Sequence, residues 1–289
     1  SGSATSAGLV PYSLGTETLG SILSPSTRNG ITGLRPTYGR VSRHGVMSLS
    51  WSMDKVGPMT RSAEDCAIVY SVITGKDPKD GMTTDFPDGF EPNKDYKSLK
   101  VAYLKNDIEK DSSLSKENLD NAVKKFEDMG ISLHAVELPK DVPYNSFDII
   151  LRAEAGAFFD DMVRAEEVDK MVEQHQRSRA NSLRQARFIP AVEYIQANRQ
   201  RQVLIEKMQA VMKDYDVLIS PSSGNRLSII TNLTGHPAIS IPTGLDKKKH
   251  PTSITLIINL YDEASILLLA KAFQDQTDFD EMHPEGYTD

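Results

Sequence analysis

Gly8-Leu9-Val10-Pro11-Tyr12-Ser13-Leu14-Gly15-Thr16-Glu17-Thr18-Leu19-Gly20-Ser21-Ile22 is the stretch that decides how this chain is read. It is dense in Gly, Ser and Thr, with short apolar pieces between them. Residues 1–60 share that character, so they read as loops and short strands that build a site, not as a helical bundle. A Gly-Ser pair in such a loop is, taken alone, far more often a turn than a nucleophile. What singles out Ser21 is the order of residues around it. Downstream come Pro25, Gly30 and Gly33-Leu34-Arg35-Pro36-Thr37-Tyr38-Gly39-Arg40-Val41-Ser42, then Met53-Asp54-Lys55-Val56-Gly57-Pro58-Met59.

Working outward, Ala63, Cys66, Tyr70 and Ile73 recur at helical spacing, with Ser62 as cap, Asp65 three residues on and Gly75 as terminator. Cys66 then lies on the apolar face as a small core residue. Residues 76–97 read as a connector. A β-α-β pattern follows: Leu99–Leu104, an amphipathic helix over Ser115–Met129 with Leu119, Ala122, Val123 and Phe126 on one side, and Ile131–Leu138. A crossover of this kind joins parallel strands. Residues 144–213 are mostly helical, with Pro190 opening a new helix. Val217–Ser220, Ala238–Ile241 and Ser253–Leu260 are strand candidates, and Ala264, Leu267, Leu268 and Ala272 mark a final helix. The alternation predicts one α/β domain over residues 1–289.

The bulk numbers exclude some functions. A net charge of −7 argues against a nucleic-acid face dominated by positive charge, so no direct nucleic-acid binding is expected. The single cysteine allows no intrachain disulfide, which fits a cytoplasmic setting. No apolar run approaches the roughly 18 residues of a membrane span. His44, His134, His175, His236, His250 and His283 are scattered, with no ligand spacing, and no motif calls for a metal or cofactor. Asn232-Leu233-Thr234 fits a glycosylation sequon, to which little weight attaches.

Taken with its companions, the opening stretch resembles the amidase signature, whose centre is usually written G-T-D-T-G-G-S-I-R and here reads G-T-E-T-L-G-S-I-L. Asp216–Pro221, Asn232–Pro242 and Ser253–Phe273 resemble the family's later strands and closing helix. The resemblance implies an α/β fold, a mixed β-sheet core covered by helices on both faces. It implies that Ser21 is the nucleophile, attacking a small-molecule amide to form an acyl-serine, with no cofactor. It places the oxyanion hole on the backbone N–H groups of Thr18, Leu19, Gly20 and Ser21. Gly20, without a side chain, lets those amides approach a bound carbonyl. Arg28, Arg35 and Arg40 read as loop anchors.

Three departures stand out. Leu19 replaces a glycine, Leu23 replaces an arginine, and Glu17 replaces an aspartate. The family also uses a Ser–cisSer–Lys triad, and by register its cis-serine and lysine fall upstream of Ser1. Lys55 belongs to the signature loop and is not read as their substitute. The chain therefore reads as an N-terminally truncated, partial domain with little activity of its own, and as a homo-oligomer. Two alternatives are the glutaminase component of a tRNA-dependent amidotransferase, and a non-catalytic binding remnant.

Overall fold

The computed structural model describes residues 1–87, 89–222 and 225–287. Eight strands run through these residues: β1 Tyr12–Glu17, β2 Thr32–Arg35, β3 Lys55–Thr60, β4 Val101–Tyr103, β5 Leu133–Ala135, β6 Val217–Pro221, β7 Ala238–Leu245 and β8 Pro251–Ile258. The helices in the first half are α1 Gly2–Ser6, α2 Leu23–Asn29, α3 Ala63–Ile73, α4 Lys105–Glu109 and α5 Lys116–Asp128. Those in the second are α6 Asp148–Phe158, α7 Asp160–Arg164, α8 Arg179–Ala186, α9 Ala191–Met212, α10 Asn225–Thr234 and α11 Glu263–Gln274.

The strands form one mixed sheet in the order β1-β3-β2-β7-β8-β6-β4-β5. β4 runs parallel to both β5 and β6, and the other neighbours are antiparallel. Alternation along each strand sends side chains to two separate cores. Val101, Val217, Ile219, Ile239, Ile241, Ile254 and Leu256 pack with Cys66 of α3, Phe126 of α5 and Phe273 of α11. Ala102, Leu218, Ala238 and Ile257 face the other way, against Ile150 of α6, Leu204 of α9 and Ile230 of α10. The fold is thus a mixed sheet covered by helices on both faces.

The expected crossover is present as β4-α5-β5, with β4 and β5 parallel. Both strands are shorter than the apolar runs suggested. β5 lies at the edge of the sheet with His134 and Ala135 at least partly exposed, so no further strand extends its ladder. Ser62 caps α3 as expected, its hydroxyl accepting from the Asp65 N–H at 3.0 Å. Cys66 is buried beside Thr60 Oγ1 at 3.0 Å, and burial pushes its thiol up to about 12, consistent with a packing role.

Two readings are corrected. The stretch from Asn232 to Pro242 is not strand throughout: Asn232, Leu233 and Thr234 close α10, and Gly235, at φ +80°, separates that helix from β7. Asn232 is fully buried, so this sequon is not presented. Residues 1–60 contain two helices, α1 and α2, as well as strands. α2 accommodates Pro25 because a first-turn N–H has no helical partner to lose. This helix lies directly on β2: a Cβ on Gly33 would sit 2.0 Å from Ser26 Oγ.

Candidate active site

Glu17 ends β1 opposite Lys55 of β3, and its carboxylate is buried. Oε1 accepts from Arg35 at 2.7 Å and from Asn232 Nδ2 at 2.9 Å. Oε2 accepts from the backbone N–H groups of Ile22 at 2.9 Å and Leu23 at 3.1 Å. The side chain that ends the strand therefore ties down the start of α2, where N–H groups lack helical partners and the helix dipole favours an anion. Burial alone raises the Glu17 pKa, but the charge of Arg35 and these hydrogen bonds outweigh it and hold the carboxyl at about 2. The extra methylene relative to aspartate supplies reach.

The rest of this buried cluster is basic. Arg35 also donates to the His236 carbonyl at 2.7 Å. Burial, followed by the charge of Arg35, lowers His236 to about 4. The Thr234 hydroxyl donates to the Ile230 carbonyl at 2.9 Å, so it accepts from Nδ1–H of His236, 2.7 Å away. Lys55 is buried, its Nζ donating to the Met53 carbonyl. Desolvation, reinforced by Arg35, lowers its pKa well below the ordinary lysine value.

Between Glu17 and α2 lie the four residues of interest. Thr18 is buried and its hydroxyl donates to Asp54 Oδ1 at 2.5 Å. Oδ2 of Asp54 accepts from Ser48 Oγ at 2.8 Å and from the N–H groups of Leu49 at 2.8 Å and Ser50 at 2.9 Å. The loop is thus clamped from below at Glu17 and from the side at Asp54. Gly20 adopts φ +95°, and a Cβ there would lie 3.1 Å from Ser228 Oγ of α10. Ser21 is exposed. Ser24 begins the helix by donating to the Gly20 carbonyl at 2.8 Å. No backbone carbonyl among the described residues accepts from the N–H groups of Thr18, Leu19, Gly20 or Ser21.

Beside this loop opens a cleft of about 530 Å³. Leu19 and Gly20 border it, with Leu23, Thr27 and Arg28 of α2, Ser222 after β6, Leu227 and Ser228 of α10, and Thr255 and Ile257 of β8. Ser21 is one residue beyond this lining. Leu19 also borders a second pocket of about 220 Å³ with Met53, Phe147 and Leu233, and Ile229 likewise borders both cavities. The arrangement offers an exposed hydroxyl, adjacent backbone donors and a largely apolar cleft, which is the equipment of acyl transfer.

Arg35 and Arg40 are buried anchors, Arg40 donating to Tyr70 at 2.7 Å and to the Phe86 carbonyl at 2.5 Å. Arg28 differs: it is exposed and borders the cleft. Asp54 and Asn232 support the loop without having been marked by the sequence. Each lies in a stretch that resembles the family, Met53–Met59 for Asp54 and Asn232–Pro242 for Asn232, but neither stretch shows the bond to this loop, Asn232 being more than 200 residues from Glu17. No group of three or more His, Cys, Asp or Glu among the described residues is arranged to hold a metal ion.

The family model "Amidase" matches residues 1–267. The A-type component of glutamyl-tRNA(Gln) amidotransferase from Syntrophomonas wolfei is 30% identical over 97% of this chain and 66% of its own length. The same-named protein of Marinobacter nauticus is 32% identical over 99% and 67%. The chain therefore spans about two thirds of the length of these relatives. Among solved structures, the same component of the Thermotoga maritima amidotransferase superposes with a TM-score of 0.79 at 25% identity, covering 98% of this chain and 67% of its own. Peptide amidase from Stenotrophomonas maltophilia superposes with a TM-score of 0.80 at 24% identity, covering 96% and 64%.

Proposed function

The chain belongs to the amidase family, and from that premise we propose that it is the Ser21-bearing part of an enzyme that hydrolyses a carboxylic amide. In this reading Ser21 Oγ attacks the amide carbonyl, and the oxygen takes up negative charge facing the N–H groups of Thr18, Leu19, Gly20 and Ser21. The C–N bond breaks, the amine leaves with a proton, and water releases the acid from the acyl-serine. The observation that carries the reading is the loop itself: four successive N–H groups uncommitted to backbone carbonyls, held at the border of a cleft and followed by an exposed serine. Removing one such donor costs about 3–4 kcal/mol of transition-state stabilisation in acyl-transfer enzymes.

The resemblance puts the lysine and cis-serine of the relay upstream of Ser1. Residues 1–289 alone are then expected to react slowly with a serine-directed fluorophosphonate, and a longer chain carrying both residues to react fast. Ser21→Ala abolishes labelling in either. Labelling that survives Ser21→Ala overturns the assignment. The absence of any Ser21 labelling in the longer chain favours the non-catalytic reading.

A second reading is favoured by the names of the relatives at 30–32% identity: the glutaminase component of a tRNA-dependent amidotransferase. Ammonia release from glutamine that rises on adding the partner proteins supports it. Hydrolysis of simple amides with no response to partners favours a free-standing amidase.

A further inference from the structure

We propose that Leu19 fits this site to an amide whose apolar part is a single aryl ring, and that the ring seats in the pocket of about 220 Å³ that Leu19 borders. The proposal rests on the reading of the Ser21 loop as the reacting site, and it names a substrate class which that reading leaves open.

Leu19 is first of all unusual for its own loop. It stands where the signature carries glycine, two residues before Ser21. The backbone does not call for glycine there: Leu19 lies outside the positive-φ region that Gly20 occupies. The choice between glycine and leucine at this position is therefore a choice of what stands beside the nucleophile. The leucine does not serve the core. It belongs to none of the buried apolar clusters among the described residues and is 36% exposed, although Thr18 before it is buried. One exposed leucine alone means little. The pocket it borders gives this one a use.

Met53, Phe147 and Leu233 form the buried wall of that pocket, Phe147 being the most exposed of them at 3%. All three are packed into the core cluster that holds α9 and α10, so the wall is fixed before a ligand arrives. Leu19 and Ile229 border both the pocket and the cleft, which brings the pocket up to the loop that carries the free N–H groups. Polar groups of the lining are already committed. The Tyr144 hydroxyl donates to the Pro139 carbonyl at 2.7 Å, and Asp148 is paired with Arg152. A group that enters here meets apolar and aromatic contact and no unpaired charge among the described lining.

Size narrows the class. An apolar cavity of roughly 150 Å³ takes up benzene. At about 220 Å³ this pocket has room for one ring and its linking carbon, whereas two rings would need roughly 300 Å³. The neighbouring cavities suit a ring less well. The cleft has Arg28, Ser222, Ser228 and Thr255 in its lining, and the cavity at Trp51 has Glu154, Asp160 and Arg187. A ring seated against those groups would desolvate them without offering a hydrogen bond in return.

The test is ligand binding to residues 1–289 in the Ser21→Ala background, followed by NMR titration, which reads millimolar affinities. Phenylacetamide is compared with propanamide, which keeps the amide and lacks the ring, and with diphenylacetamide, which carries a second ring. Phenylacetamide is expected to bind at least about tenfold tighter than propanamide, and diphenylacetamide no tighter than phenylacetamide. Methyl resonances of Met53 and Leu233 are expected to move with phenylacetamide and not with propanamide. Leu19→Gly is expected to shrink the advantage of the ring to about threefold or less. Leu19→Ser, which keeps a side chain and so an ordinary backbone, is expected to do the same, and Leu19→Met to keep most of it. A merely structural role for Leu19 would weaken both ligands alike, so the ratio is the readout. Equal affinities, failure of phenylacetamide to bind, tighter binding of diphenylacetamide, an advantage unchanged in the glycine and serine variants, or shifts centred on Trp51 each overturn the proposal. Fluorophosphonate labelling of Ser21 is read separately in the parent chain. A labelled Ser21 without the ring advantage sinks only the role of Leu19, whereas the advantage without labelling leaves the pocket standing and removes the nucleophile.

Discussion

Position 20 has a backbone φ of +95°, a value at which any side chain is strained, and Ser228 Oγ waits 3.1 Å from where a Cβ would be. Gly20→Ala is therefore expected to lower stability by about 1–3 kcal/mol and to turn the neighbouring N–H groups away from their common border. Urea unfolding reads the first effect and the rate of fluorophosphonate labelling the second. An alanine variant equal to the parent in both contradicts this account of the loop. Glu17 works at the same scale. Its folded pKa, about 2, is below its usual value of 4.5, so it adds stability above pH 4.5 that is lost as pH falls through 2. His236 is a base depressed to about 4 from 6.5, so it binds fewer protons folded than unfolded, and stability declines as pH falls from 6.5 through 4. Acid destabilisation should thus begin near pH 6.5 and continue towards pH 2. Glu17→Gln removes the lower part of that slope. It also leaves Arg35 buried without its counter-ion, at a cost of about 3–5 kcal/mol at neutral pH. Urea midpoints taken across the pH range check both statements.

The elements explain why a loop can be held this firmly. β1 delivers Glu17, β3 begins at Lys55 directly after Asp54, and α10 presents Ser228 and Asn232 four residues apart on one face. Asp54 joins two segments, residues 48–50 and Thr18, through one carboxylate. Asp54→Ala leaves four donors without their acceptor, and a loss of about 2–4 kcal/mol follows from hydrogen bonds to a charged group. The amides of Leu49 and Ser50 should lose protection against hydrogen exchange while β7 and β8, deep in the sheet, keep theirs. Uniform loss across the sheet would mean that Asp54 holds the whole fold and not this loop.

On the scale of the whole molecule, apolar side chains are exposed in several places, two of which bear on association. β1 is the outer strand of the sheet, with Tyr12 and Leu14 exposed along it. Trp51 is exposed and borders a cavity of about 410 Å³ between α6, α8 and α9, and Phe188, Val192 and Ile195, next in sequence to residues that line it, are exposed too. Open strand edges recruit other strands, and apolar patches of this kind favour association. Light scattering across micromolar concentrations is expected to give a mass of two chains or more, falling when Phe188 and Ile195 are replaced by serine. A monomer at every concentration removes the expectation.

Much of this was legible from residues alone because it depends on short range. Period-3.6 and period-2 patterns fall on α3, α5, α11 and the central strands, and the ordered run from Gly8 to Ile22 marks the loop at Ser21. A side chain's own backbone neighbours decide such features, so the sequence contains them in full. The helix through Pro25 escaped because its stability comes from packing on Gly33 of β2, not from local preference. Asn232 was hidden for the same reason, since its bond to Glu17 spans more than 200 residues. The sequence could not separate Arg28, Arg35 and Arg40, because it gives all three the same charge. Only tertiary packing buries Arg35 against Glu17, locks Arg40 to Tyr70 and leaves Arg28 exposed, because burial beside a fixed partner is set by residues far away in the chain.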